Sequence, residues 1–334
     1  VKDLTVEELL TRVGERLGVV ENKLEAATRF GDLRVDPITT YLAEAGGKRM
    51  RPALALLCGY VGPEPESERV EHVAVAMELT HLASLYHDDV MDEAPLRRGV
   101  PAAHRNYGNS AAIMAGDILF SRASSMMADL GPRAVKDYAE TFRRLCTGQL
   151  LETVGRAPEV SPRAHYLEVL AGKTGSLIAA SAREGVFAAA GNREAEYAAV
   201  AARVQEFGEN VGIAFQIADD YIDVVSEETG KEQGTDLRES VDTMPTILLR
   251  ERAAAGILDD DGQAILAELD RGDLAGQRLD TVLGVLRNHS VMAETRALAE
   301  EWAARAVAAI ADLENAAVRE ALTQYARSVV DRTV

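Results

Sequence analysis

The chain has 334 residues, a formal net charge of −18 and 47% hydrophobic residues, enough for a sizeable core in one or two domains. That acidity excludes a general nucleic-acid or anionic-membrane surface, either of which needs a basic patch. Aromatics are only 5%, and alternating apolar runs bounded by turn residues are scarce, so the expected fold is all-α.

The first residues, Val1, Lys2 and Asp3, open an amphipathic segment unlike a signal peptide. Helical periodicity then runs through most of the chain. Pro- and Gly-rich breaks interrupt it at 61–67, 129–133, 155–162 and 226–245. This predicts a single domain over 1–334, with roughly ten or more long helices around a common centre. No fixed-period repeat suggests a solenoid, and no uncharged apolar run reaches the length of a membrane span. Cys58 and Cys146 lie in apolar helical contexts without metal-ligand spacing and read as buried free thiols of a reducing compartment, hence a cytoplasmic protein. Beyond Pro245 the helices carry no motif, and Asp259-Asp260-Asp261-Gly262 reads as a turn or N-cap.

An Asp-Asp-x-x-Asp cluster occurs twice, as Asp88, Asp89 and Asp92 and as Asp219, Asp220 and Asp223. On a helix the first and last carboxylates of each share a face and repel, by about 0.2–0.5 kcal/mol per pair. One such cluster is as readily a solvated acidic face; two, each within an apolar helical stretch, point to a cation. Mg²⁺ suits them because it takes one or two carboxylates together with phosphate oxygens and water.

The basic residues answer this pattern. Arginine almost everywhere replaces lysine; the lysines are Lys2, Lys23, Lys48, Lys136, Lys173 and Lys231. Three of these stand beside glycine, in Gly46-Gly47-Lys48-Arg49-Met50-Arg51-Pro52, Gly172-Lys173-Thr174-Gly175 and Gly230-Lys231. Such lysines are read as phosphate contacts. The second is not a nucleotide-binding P-loop, since Leu167 stands where its first glycine belongs. Arg97-Arg98 follows the first cluster, placed to grip phosphate oxygens. Two acidic clusters with converging Lys and Arg describe a site for two diphosphates bridged by Mg²⁺.

With these motifs in order, joined by Glu78-Leu79-Thr80-His81, Gly116-Asp117, Gly148-Gln149, Phe215-Gln216 and Gly234-Thr235-Asp236-Leu237, the sequence resembles the trans (E)-isoprenyl diphosphate synthases, or polyprenyl synthetases. The resemblance runs from about Gly46 to Pro245. It implies an all-α fold around a deep central cavity, a homodimer, and three Mg²⁺ ions per active site. Asp88 and Asp92 would hold two ions and Asp219 a third, with Asp223 and Asp220 in support and Asp223 itself a candidate ligand. Arg97, Lys173 and Lys231 would contact an allylic diphosphate. Lys48, Arg51, His81 and Arg98 would bind isopentenyl diphosphate, and Thr174 and Gln216 would lie near the reacting carbons. His87 reads as helix packing. One departure is visible: Val241 stands where many members have a lysine.

The implied reaction is ionisation of the allylic C–O bond, attack by the isopentenyl π-bond and loss of a proton to the departing pyrophosphate. In this family bulky residues four and five positions before the first aspartate mark short-chain products. Here they are Ser84 and Ala83, so a medium- to long-chain all-trans product is expected, with Thr80 and Met77 further along the helix and Met77 a candidate floor. Geranylgeranyl diphosphate synthase is the near alternative. A class I terpene cyclase is more remote, because Asp223 occupies the place of its Ser or Thr and Lys48 and Arg51 would have no use. A non-catalytic subunit of a heteromeric synthase would have lost one cluster.

Overall fold

Thr5 opens the first helix with a reciprocal cap: its hydroxyl accepts from the Glu8 amide at 3.2 Å while the Glu8 carboxylate accepts from the Thr5 amide at 2.8 Å. Such a cap satisfies amides that have no partner within the helix. The helix then buries Leu9, Val13, Val20 and Leu24 on one stripe. The computed structural model describes residues 4–225, 233–239 and 241–331.

In chain order the elements are α1 (Val6–Thr28), α2 (Asp36–Thr39), α3 (Tyr41–Glu44), α4 (Met50–Gly59), α5 (Glu68–Met91), β1 (Leu96–Arg97), β2 (Val100–Pro101), α6 (Ala103–Tyr107), α7 (Asn109–Ala128), α8 (Pro132–Val154) and α9 (Pro162–Leu170). A π-helical turn, Ala171–Gly175, leads into α10 (Ser176–Ala190), and a 3₁₀ turn, Gly191–Arg193, into α11 (Glu194–Val225). There follow α12 (Thr235–Arg238), α13 (Met244–Ala254), α14 (Asp260–Arg271), α15 (Gln277–Leu286), α16 (Ser290–Ala309) and α17 (Ala316–Val330). The fold is all-α; the breaks at 61–67, 129–133 and 155–162 fall at helix junctions, with Pro132 and Pro162 opening α8 and α9, while 226–245 lies partly outside the described residues and holds α12 and the start of α13. No helix among the described residues is long and apolar enough to cross a membrane.

The chain divides into two compact units, each built from three segments. The first comprises Val1–Arg143, Leu177–Gly208 and Ile310–Leu322; the second comprises Arg144–Ser176, Glu209–Ala309 and Thr323–Val334. In the first unit α5 is the central element. Five successive residues, Val73 to Met77, are fully buried, so apolar neighbours meet every face of that helix. It packs against α1, α4 and α7. In the second unit α13 packs against α9, α14 and α16. Asp259 caps α14 there, accepting from the Gly262 amide at 2.9 Å, as the acidic run predicted.

Two local features depart from expectation. Arg97-Arg98-Gly99 sits in a two-stranded hairpin, with Leu96 paired to Pro101 and Arg97 to Val100. Arg98 and Gly99 both have positive φ, 55° and 78°, which suits a tight two-residue hairpin turn. Of the cysteines, Cys58 is buried, but Cys146 is exposed on α8, contrary to the expected burial of both. An apolar neighbourhood in sequence did not place Cys146 on the inward stripe of its helix.

Candidate active site

In the first unit the first acidic cluster occupies the C-terminal turn of α5. Asp92 is the capping residue, and its amide bonds the Asp88 carbonyl at 2.8 Å. Asp92 is exposed and Asp88 half-exposed, one helical turn apart. The middle aspartate is different. Asp89 is fully buried; its Oδ1 accepts a hydrogen bond from Arg97 Nε at 2.7 Å and pairs with Nη2 at an ion-pair distance of 2.6 Å. Burial raises its carboxyl above the ordinary range, and Arg97 opposes that shift.

The other arginines fold round the glycine loop before α4. Arg98 donates to the carbonyls of Leu42 and Gly46. Arg49 bonds Glu21 through Nε at 2.7 Å and Nη2 at 2.6 Å, and reaches the buried Glu78 at 3.1 Å. Gly47 lies between them at φ +145°, where a β-carbon would meet Arg49 Nη1 and Arg98 Nη2 at 2.9 Å each. Its glycine makes room for two guanidiniums. Arg49, Glu21 and Glu78 went unassigned in the sequence reading, because nothing local in the sequence announces partners so far apart. Lys48 is exposed in this loop and Arg51 half-buried in the first turn of α4.

His81, half-buried by surface area, is densely surrounded, and it reports the result. Burial, and then the charges of Arg51, Arg98, Arg97 and Arg49, hold its imidazole well below the usual range. Burial and those same neighbouring guanidiniums also lower Arg98, against Glu78. Four arginines, two of them paired with acids, thus lie near a histidine whose protonation they oppose, an arrangement that suits a polyanion.

His87 packs as predicted, its Nε2 2.9 Å from the Ile113 carbonyl and its ring 5.6 Å from that of Phe120. Further from the cluster, Ala83, Thr80 and Met77 are fully buried, while Ser84 is half-buried with its hydroxyl bonded to the His81 carbonyl at 2.8 Å. Thr80 donates to the Ala76 carbonyl at 2.7 Å and lies 3.0 Å from the Tyr138 hydroxyl, which is therefore the donor of that bond. Tyr138, on α8, was not singled out in the sequence.

In the second unit Asp219 and Asp223 are half-exposed on α11, one turn apart. Asp220, between them, is buried and accepts from the Tyr166 phenol at 2.5 Å and the Met244 amide at 2.8 Å. Burial pushes its carboxyl up to about 8, with Asp236 and Asp219 adding to the rise and the two hydrogen bonds opposing it. Each cluster therefore turns its middle aspartate inward as an anchor and leaves its outer two at the surface.

Asp236 joins the second group. Burial, then Asp223, Glu239, Asp219 and Glu152, push it up to about 7. Lys173 stands in the π-helical turn with its Nζ 2.5 Å from Glu152 Oε2. Thr174 is buried beside it and Gln216 half-buried on α11. The glycines flanking Lys173 serve packing: a β-carbon on Gly172 would stand 2.9 Å from Gly148 Cα, and one on Gly212 would stand 2.6 Å from Gly175 Cα. Lys231 lies outside the described residues. Val241 is exposed, its amide bonded to the Asp236 carbonyl at 2.9 Å.

The donor chemistry fits Mg²⁺. Among the described residues no three His, Cys, Asp or Glu side chains form a complete metal cage. Paired surface carboxylates beside crowded acids instead suit an ion that completes its octahedron with water and phosphate.

The likeness to known proteins follows the same lines. A family model described as polyprenyl synthetase matches residues 34–262. The chain is 40% identical over 333 residues to the nonaprenyl diphosphate synthase of Mycobacterium tuberculosis, covering 96% of this chain and 92% of that protein. It is 36% identical over 275 residues to heptaprenyl diphosphate synthase component 2 of Geobacillus stearothermophilus, covering 81% and 84%. It also resembles the crystal structure of the geranylgeranyl pyrophosphate synthase from Corynebacterium glutamicum complexed with calcium and isoprenyl diphosphate, with a TM-score of 0.84, 37% identity and 98% of each chain covered. The chain belongs to the polyprenyl synthetase family, whose members are prenyltransferases.

Proposed function

We propose that this protein condenses isopentenyl diphosphate with an allylic diphosphate, head to tail, to give a medium- to long-chain all-trans polyprenyl diphosphate. The observation that carries this reading is the group of Arg49, Arg51, Arg97 and Arg98 near His81 and beside a helix that ends in Asp88 and Asp92. Arg49 and Arg97 are partly answered by Glu21, Glu78 and Asp89, and the guanidinium donors gathered there are matched by a diphosphate.

Asp88 and Asp92 would hold Mg²⁺ in the first unit, and Asp219 with Asp223 in the second, three ions in all. Bound Mg²⁺ supplies Lewis-acid neutralisation of the charge that builds on pyrophosphate as the C–O bond breaks. Arg97, Lys173 and Lys231 would donate to that allylic diphosphate, offsetting the charge that builds on it. Lys48, Arg51, His81 and Arg98 bind isopentenyl diphosphate; a neutral His81 donates one hydrogen bond without adding to the local charge. Thr174 and Gln216 sit by the reacting carbons, and the apolar helices keep water from the cation. The proton leaves on pyrophosphate. A homodimer in the cytoplasm completes the proposal.

Small residues at 83 and 84, and the names of the nonaprenyl and heptaprenyl relatives, support the longer product. The buried Thr80–Tyr138 hydrogen bond and the Corynebacterium relative favour a second reading, geranylgeranyl diphosphate. The reaction is tested by pyrophosphate release from farnesyl diphosphate with Mg²⁺. Release that requires isopentenyl diphosphate supports condensation; release without it points to a cyclase.

A further inference from the structure

We infer that Asp89 is the positioning residue for Arg97: it fixes one edge of the guanidinium so that the opposite edge is presented to the allylic diphosphate. This deepens the proposed function and rests on its assignment of Arg97.

A guanidinium carries five N–H donors in a rigid plane. Asp89 Oδ1 accepts from Nε at 2.7 Å and stands 2.6 Å from Nη2 as an ion pair, and neither contact involves Nη1. Asp89 is fully buried, whereas the Arg97 side chain keeps 31% of its surface exposed. The carboxylate is therefore a fixed internal post and the far edge of the guanidinium the accessible part. The backbone is held as well. Arg97 is paired to Val100 in the hairpin, the Ala94 amide bonds the Asp89 carbonyl at 3.0 Å, and the Ala102 amide bonds the Pro95 carbonyl at 3.1 Å. Arg97 thus leaves its strand at a set point and is steered at its head.

The arrangement is poor as a stability device. Asp89 Oδ2 is buried without a hydrogen-bond partner, a group that is costly to desolvate and is rarely left so. A buried carboxylate that is incompletely satisfied yet holds a half-exposed cation fits a charged group kept for its direction. Two parallel N–H bonds to phosphate oxygens demand a planar fork in one orientation, and lysine cannot substitute for that geometry. The outer aspartates of the motif are metal ligands in the proposal; the inner one aims the arginine.

The test uses the full chain with farnesyl diphosphate, isopentenyl diphosphate and Mg²⁺, together with calorimetric binding of inorganic pyrophosphate in Mg²⁺. Asp89→Asn is expected to raise the KM for farnesyl diphosphate and weaken pyrophosphate binding at least tenfold, with the KM for isopentenyl diphosphate within twofold of wild type. Arg97→Lys, which keeps the charge and leaves Asp89 in place, is expected to lose the same factor and decides the matter should Asp89→Asn not fold. In an Arg97→Gln background Asp89→Asn should cost nothing more. Wild-type pyrophosphate binding in Asp89→Asn or Arg97→Lys, or an undiminished tenfold loss on top of Arg97→Gln, would overturn the inference. A wild-type protein that binds pyrophosphate with Mg²⁺ but makes no condensation product would instead remove the proposed function, leaving the binding comparison between variants to stand on its own.

Discussion

Gly148 of α8 and Gly172 of the π-helical turn cross with their backbones in contact. A β-carbon on Gly148 would stand 2.4 Å from the Lys173 amide nitrogen and 2.8 Å from the Gly172 carbonyl carbon. The turn that bears Lys173 is therefore seated by backbone, which has no side-chain freedom with which to yield. Gly148→Ala should cost about 1–3 kcal/mol through overpacking and should displace Lys173. Gly14→Ala, on α1 with nothing within 4 Å, should instead gain up to about 1 kcal/mol from helix propensity. Thermal unfolding of the two variants, with the KM for farnesyl diphosphate of Gly148→Ala, measures both effects.

His81 gives a pH signature. Its imidazole lies below the usual range in the folded protein, so below an unfolded value of about 6.5 the unfolded chain takes up a proton that the native state does not. Stability should fall as pH drops through about 6.5, and less so in His81→Gln. A bound diphosphate offsets the arginine charges and raises the imidazole. Binding of isopentenyl diphosphate near pH 6 should therefore draw in protons, visible as a heat that varies with buffer ionisation. In His81→Gln the proton uptake should be smaller, the remainder belonging to the ligand's own phosphate, which titrates near the same pH.

Ala83 is fully buried on α5, five residues before Asp88. Ala83→Phe should shorten the product by one or more isoprene units at the expense of stability, about 1–3 kcal/mol if the helix does not adjust. Mass spectrometry of the chain-length distribution reads this directly, and an unchanged distribution would remove residue 83 from length control.

The two thiols should separate cleanly. Cys146 is exposed, whereas Cys58 is fully buried and its thiol is pushed far up by burial. A thiol-specific reagent should modify one cysteine quickly in the native protein and the second only on unfolding. Cys146→Ser should abolish the fast phase.

The helical architecture and the two acidic clusters were legible in the sequence because each is a local pattern: a 3.6-residue period, a four-residue spacing, a proline or glycine stop. What pairs across distance was not. Glu21 and Glu78 meet Arg49 from 28 and 29 residues away, and Tyr138 meets Thr80 from 58. The difference between Asp89 and its neighbours was equally hidden, since three like residues in one motif acquire distinct roles only when the helix turns one of them inward. The hairpin escaped because its two strands have two residues each, too few for alternation to register. Cys146 was misplaced for a related reason, as the apolar content of a helix does not by itself say which stripe faces in.

Sizing the products made from isopentenyl diphosphate, Mg²⁺ and each allylic primer in turn tests the central claim most directly. A series of all-trans polyprenyl diphosphates, extending beyond twenty carbons and lost when the metal is chelated, is the predicted result. Failure to lengthen any primer, with Mg²⁺-dependent release of pyrophosphate from the primer alone, would contradict it.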